Sequence, residues 1–245
     1  MSPEFAAQIG SPIRALAQFN GKRLIDLVIG ALLDADRNAP ISVVGDIPDS
    51  PAFARVADQG DFVTNIIAGV SLHTGSDWIL ITSADMPYLT GPIISQFLHD
   101  ALAAANAKDV EIVYPVVPVA MCYEQFPGIK RTAVKLREGQ FTGGNLMLAR
   151  PSFFLDRRDL LSRAFAARKN PFQLAWMLGL GTVARLTVSQ IIAPGALSVS
   201  MLEDRVGKLV QGKVAALISD SPQIATDLDR PSDFAAAAAF ATTEP

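Results

Sequence analysis

One cysteine, Cys122, stands in 245 residues, and only two histidines, His73 and His99, accompany it. That excludes a disulfide within the chain, leaves no Cys/His set for zinc and suits a reducing cytoplasm. No apolar run reaches the roughly 18–20 residues of a membrane-spanning helix. The opening Met1-Ser2-Pro3-Glu4-Phe5 has neither the basic nor the apolar character of a signal peptide, so a soluble, cytosolic protein is expected. Positive charge is not in excess either: the net charge of −3 gives no electrostatic case for nucleic acid and makes small molecules the expected partners. Also missing are the G-x-x-x-x-G-K-[ST] loop, the G-x-S-x-G elbow and H-E-x-x-H. Gly179-Leu180-Gly181-Thr182-Val183-Ala184 matches a dinucleotide-binding pattern, but the residues before it read as helix and not as strand, which removes the match's meaning. No stretch rich in Pro, Gly or Ser marks a boundary, so residues 1–245 are read as a single domain.

What is present is a half-hydrophobic chain with 18% charged residues, ample for a sizeable core. Residues 1–21 show no clean period, whereas Lys22 to Asp36 place Leu24, Leu27, Val28, Ala31 and Leu32 on one helical face. Short apolar runs at Ile41–Asp46, Trp78–Thr82 and Val110–Val117 read as buried strands, separated by helices over Phe62–His73 and Pro92–Ala107. Such alternation predicts an α/β three-layer sandwich with a mostly parallel central sheet. Beyond Pro118, Lys130–Arg137 alternates as a half-exposed strand, Glu138–Gln140 turns it, and Leu146–Leu148 is another strand. Residues 151–211 read as a helical insertion, with helices over Ser152–Ala167, Pro171–Leu180 and Leu197–Gln211, before a last strand at Val214–Ile218.

Three constellations could carry chemistry. Asp85 follows the strand Trp78–Thr82, and ligands of open α/β sheets collect outside the carboxyl ends of strands. Asp85 is read as a metal ligand and not as a helix cap, because Thr90, just before Gly91-Pro92, is the better cap. Asp227 and Asp229 are separated by one residue and are expected to point to opposite faces, so that only one would face Asp85; a turn with a helix cap before Pro231 is the bland alternative. Carboxylates from two segments would make a hard oxygen site suited to magnesium. Lys130, Arg131, Lys135 and Arg137, beside Thr142-Gly143-Gly144-Asn145, form the third group. Cations alternating along a strand next to a glycine turn favour an anionic substrate over a merely solvated edge.

The chain resembles the MobA-like nucleotidyltransferases. Arg14-Ala15-Leu16 with Asn20-Gly21-Lys22-Arg23-Leu24-Ile25 is similar to that family's "K-A-L-x-x-x-x-G-K-P-L-I" segment, and Asp85-Met86-Pro87-Tyr88-Leu89-Thr90 to its "D-x-P-x-x-T" segment. Asp227-Leu228-Asp229-Arg230-Pro231-Ser232-Asp233 is similar to its closing "D-x-D-x-P-x-D". The resemblance implies a Rossmann-like fold of the nucleotide-diphospho-sugar transferase type and magnesium-dependent transfer of a nucleotidyl group from an NTP to a phosphorylated or acidic small molecule. It implies Asp85 with Asp227 or Asp229 at the metal, Arg14 and Lys22 near the phosphates, and Asn65 near the base or ribose. Lys130, Arg131, Thr142, Gly143, Gly144 and Asn145 would face the acceptor. The family opens on a strand and a glycine-rich loop that have no counterpart before Arg14, so the natural start is expected upstream of Met1, and two strands are expected to lack a neighbour. An inactive nucleotide- or nucleotide-sugar-binding protein of the same fold is the alternative; a glycosyltransferase would carry its Asp-x-Asp in mid-chain.

Overall fold

The computed structural model describes residues 3–167 and 197–241. Its first elements are a short helix α1 (Pro3–Ile9), a 3-10 turn Arg14–Leu16 and a ribbon of β1 (Gln18–Phe19) and β2 (Lys22–Arg23). Asn20 and Gly21 turn the ribbon with φ of +50° and +76°, the positive values that a tight Asn-Gly hairpin requires. Helix α2 (Leu24–Ala35), strand β3 (Ser42–Val44), strand β4 (Ala54–Val56) and helix α3 (Phe62–Val70) follow, α3 running on into a 3-10 turn at Ser71–His73. Then come β5 (Ile79–Thr82), α4 (Gly91–Lys108), β6 (Ile112–Pro118) and α5 (Val119–Gln125). The remainder is β7 (Val134–Leu136), β8 (Gly139–Gly143), β9 (Leu146–Ala149), α6 (Pro151–Asp156), α7 (Arg158–Ala167), α8 (Val199–Val210), β10 (Val214–Ile218) and α9 (Pro231–Ala241). The helix expected at Pro171–Leu180 and the Gly179–Ala184 pattern lie outside the described residues.

Alternation of side chains builds the expected three layers. Leu80, Val113, Leu146, Leu148 and Ala215 point to one face, where α2 and α4 cover them with Val28, Ile94 and Phe97. Ile79, Ile81, Ile112, Met147 and Ala149 point to the other, against Val63, Ile67, Phe153 and Phe154 of α3 and α6. A period of two with both faces apolar is what a sheet between helices needs. The class is therefore α/β, as expected, but the sheet is mixed. Its order is β5-β9-β6-β8-β7 with β10 on the other side of β6, and only β6 and β10 pair in parallel. β9 runs antiparallel between β5 and β6, so β5, β6 and β10 share a direction that β9 opposes.

A single irregularity matters most for function. β8 and β9 are two parts of one run along β6: Val116 pairs with Gly143 and Val113 with Leu148, so the run carries two more residues than β6 between the paired ends. The excess is absorbed at Gly144 and Asn145. Gly144 N–H still reaches the Pro115 carbonyl at 2.9 Å, whereas Asn145 N–H leaves the ladder for the Ile224 carbonyl, also at 2.9 Å. Such a bulge re-aims a side chain and bends its strand.

Two expectations about the strands are corrected. The alternating basic strand Lys130–Arg137 shrinks to Val134–Leu136, because Arg131 turns inward and ends the alternation. β5 is half-buried along its length and not fully buried, because it has one strand neighbour, β9, among the described residues. Its other edge opens on a cleft of about 500 Å³ whose far wall is Ile41–Val44 of the separate β3–β4 pair. Ile29, Ile66 and Leu148 line the floor and walls. Residues 3–9 do not enter this cleft: they coil into α1, whose Phe5 and Ile9 pack with Phe126, Leu228 and Ala237.

The bulge supplies a direct test. A Cβ on Gly144 would stand 2.7 Å from Pro115 Cγ and 2.8 Å from Ile224 Cγ2, both well inside contact distance. Gly144→Ala is expected to cost about 1–3 kcal/mol through overpacking, read as a lowered urea midpoint with unchanged m.

Candidate active site

Asp85 stands three residues beyond β5, 6% exposed, where the strand end meets the bulge. Ser83 N–H donates to the Asn145 carbonyl at 2.9 Å, which ties the strand end to the bulge, and Ser83 Oγ donates to Asp85 Oδ1. Leu228 N–H donates to the Asp85 carbonyl at 3.1 Å, and this bond brings the C-terminal segment alongside. Leu228 itself is completely buried among Phe19, Leu24, Phe126 and Ile129. With Leu228 committed to the core, its two neighbours both turn the other way.

The expectation that only one of Asp227 and Asp229 faces Asp85 is therefore corrected. Residues two apart on an extended segment share a face, and the ligand oxygens of Asp85, Asp227 and Asp229 lie within 4.8 Å of one another. Asp233, in the first turn of α9, fixes the segment's exit: its Oδ2 accepts from Asp229 N–H at 3.2 Å and Arg230 N–H at 2.9 Å. That is the reach-back half of a capping box. The bland reading of the closing motif as a cap is thus met by Asp233, which leaves Asp227 and Asp229 free for the cluster.

Two guanidinium groups offset the three carboxylates. Arg14, on the 3-10 turn, places Nε 3.0 Å from Asp85 Oδ2 and donates through Nη1 to Asp229 Oδ1. Arg131 is deep inside, its side chain 4% exposed, donating through Nη1 to the Ala225 carbonyl and through Nη2 to Thr226 Oγ1 at 2.7 Å. Its Nη1 is also 3.7 Å from Asp227 Oδ1. Burial pushes the Asp227 carboxyl above the usual carboxylate range, with the Asp85 charge adding to the effect; its own backbone, the Asn145 side chain it accepts from, and Arg131 all oppose the rise. Tyr114 Oη donates to the Gly144 carbonyl at 2.5 Å and so braces the bulge, and its phenol is raised by burial and then by the charge of Asp227.

The other predicted residues are distributed around this centre. Asn145 joins it through Asp227, and Thr142 is buried on β8 while Gly143 is exposed. Lys130 is exposed beside Arg131, and Lys22 is exposed on the ribbon. Asn65 lines the cleft, but its amide is spent locally: Nδ2 donates to Asp58 Oδ1 at 2.6 Å and Oδ1 accepts from Gln59 N–H at 2.7 Å. Sequence reasoning missed Ser83, Tyr114 and Thr226. Ser83 alone left a signal, being a hydroxyl two residues before a strand-end carboxylate.

An all-oxygen donor set suits a hard divalent cation, which takes carboxylates and completes its shell with water and phosphate. In a three-layer α/β sandwich, a cluster outside the end of a strand stands where such folds bind their ligands. The chain belongs to the MobA-like NTP transferase family, whose domain model matches residues 6–162, and it is a nucleotidyltransferase. A hypothetical transferase from Thermus thermophilus is 30% identical, with 94% of each chain covered and a TM-score of 0.78. A synthetase for CMP:2-keto-3-deoxy-manno-octonic acid, complexed with CTP, shares the fold at 12% identity and a TM-score of 0.52, covering 94% of this chain and 92% of its own. The 2-C-methyl-D-erythritol 4-phosphate cytidylyltransferase of Thermus thermophilus aligns at 16% identity and a TM-score of 0.48, with 94% of each chain covered. Among curated proteins, no sequence matches significantly. Among the described residues, no helix is long and apolar enough to cross a membrane.

Arg131→Ala strips partners from a buried carbonyl, a buried hydroxyl and the half-buried Asp227 together. The expected loss is about 3 kcal/mol of unfolding free energy, measured by urea titration without added metal.

Proposed function

We propose that this nucleotidyltransferase moves a nucleotidyl group from an NTP to a phosphorylated or acidic small molecule in the cytoplasm, with magnesium, and releases pyrophosphate. The observation that carries the reading is the convergence of Asp85, Asp227 and Asp229 within 4.8 Å, beside Arg14. An acceptor oxygen attacks the α-phosphorus, a new P–O bond forms, and the bridging bond to the β-phosphate breaks with its electron pair leaving on pyrophosphate. The protein's share of such a transfer is positioning and charge stabilisation.

Each residue then has a task. Asp85, Asp227 and Asp229 would hold magnesium, which supplies charge neutralisation to the phosphate oxygens when bound. Arg14 and Lys22 serve the phosphates, and Asn65 lies toward the base or ribose through the loop it braces. Lys130, Thr142 and the exposed backbone at Gly143 serve the acceptor, while Gly144, buried and bonded on both sides, shapes the bulge beside them. Arg131 and Asn145 stand differently from expectation, since both spend their side chains on the closing segment: they hold Asp227 in place.

Asp85→Asn keeps the shape of the side chain and removes its charge. Pyrophosphate release, assayed with each of the four NTPs against a panel of phosphorylated sugars and sugar acids, is expected to fall at least ~10³-fold while the far-UV spectrum stays unchanged. Retained turnover in that variant, or no release from the unaltered protein with any pair, overturns the reading. Lys130→Ala is expected to raise the acceptor KM about tenfold with the NTP KM changed less than about twofold; equal changes would move Lys130 to the triphosphate.

A further inference from the structure

Resting on that reading of the carboxylates, we infer that Arg14 and the metal compete for the same oxygens, so that metal entry hands Arg14 over to the polyphosphate. Both oxygens of Asp85 are already engaged: Oδ1 accepts from Ser83 Oγ and Oδ2 faces Arg14 Nε at 3.0 Å. Arg14 Nη1 also holds Asp229 Oδ1. The guanidinium therefore spans two of the three groups that would ligate a cation.

A divalent ion at the centre of this cluster would lie against a like charge. The two cannot share Asp85 Oδ2 and Asp229 Oδ1 without repulsion, and it is strongest at Asp85, whose side chain is only 9% exposed. Arg131 cannot yield in its place, because its side chain is 4% exposed and tied to Ala225 and Thr226. Arg14 can. Its side chain is 38% exposed, and its Asp229 partner is 52% exposed. Its backbone, by contrast, is pinned: Ala17 N–H bonds to the Arg14 carbonyl at 2.9 Å, Leu24 N–H to the Ala17 carbonyl at 3.0 Å, and Ala17 is completely buried. The movement is thus a rotation of one side chain about a fixed root, at the mouth of the site.

The consequence is linkage. Metal alone must break both contacts of Arg14 and binds at a disadvantage, whereas a metal–polyphosphate complex offers the displaced guanidinium a bidentate anionic partner. Metal and polyphosphate then favour each other through this residue, and by thermodynamic reciprocity the coupling is the same in both directions. Arg14 also offsets the mutual repulsion of the carboxylates while no cation is present.

Opposite signs in two binding measurements test this. Mn2+ alone is followed by the loss of its free electron paramagnetic resonance signal, and the preformed Mn2+–pyrophosphate complex by equilibrium dialysis, for the unaltered protein, Arg14→Gln and Asp85→Asn. Arg14→Gln is expected to bind Mn2+ alone about fivefold tighter than the unaltered protein, and Mn2+–pyrophosphate at least about fivefold weaker. Mn2+ affinity that is unchanged or lower in Arg14→Gln, or unchanged affinity for Mn2+–pyrophosphate, overturns the exchange. Asp85→Asn is expected to lose Mn2+ binding altogether; if it binds Mn2+ as the unaltered protein does, the metal-site reading falls, and the exchange with it. Circular dichroism spectra of the three proteins confirm that each comparison is made between folded chains.

Discussion

The structure depends on one backbone bond, from Leu228 N–H to the Asp85 carbonyl. It joins a strand end to a segment more than a hundred residues later, and it does so by burying Leu228 so that Asp227 and Asp229 must turn toward Asp85. Three carboxylates at that distance repel one another, and the repulsion has to be met by fixed opposite charge and by hydrogen-bond donors. Arg131 and Asn145 meet it from inside, and Arg14 from the mouth. The two arginines differ in what burial lets them do. A guanidinium held by a carbonyl, a hydroxyl and a carboxylate is architecture, whereas one that is more than a third exposed can change partners.

The bulge at Gly144-Asn145 is the second constraint. Three segments of the site touch it: Ser83 through the Asn145 carbonyl, the closing segment through Ile224, β6 through Pro115 and Tyr114. Glycine is required at position 144 because neighbouring side chains fill the space a Cβ would take, not because the chain turns there. A glycine-rich turn read from sequence as a ligand cradle is in part a packing device, with side chains of Pro115 and Ile224 where a Cβ would be.

Much of this was legible. The strand before Asp85, the amphipathic α2 and the last strand Val214–Ile218 followed from apolar spacing, and Asp85 was singled out by its place just beyond a strand end. What failed did so for local reasons. Lys130–Arg137 alternates in composition, but alternation cannot say that one of its cations is buried, and a buried Arg131 ends the strand pattern. The pairing of Asp227 with Asp229 was misjudged in direction: the residue between them is apolar, and its burial is what sets both acids on one face. Strand direction was not legible, since β9 is as apolar as a parallel strand buried on both faces, and only its ladders with β5 and β6 fix its sense.

The cleft between β3 and β5 bears on how the site keeps its shape. β5 leads to Asp85, and among the described residues one of its edges faces the cleft and not a strand. A strand end so placed would be expected to drift, because half of its ladder is unmade. It is held instead from the opposite edge, where all four residues of β5 pair with β9 and Ser83 N–H extends the ladder to Asn145. The same run of chain that pairs β5 carries the bulge, and the bulge carries Asn145 to Asp227. The position of Asp85 relative to its partner acids is therefore set through β9, on the far side from the cleft, so a change in what fills the cleft can alter the stability of β3 and β5 without moving the carboxylates relative to one another.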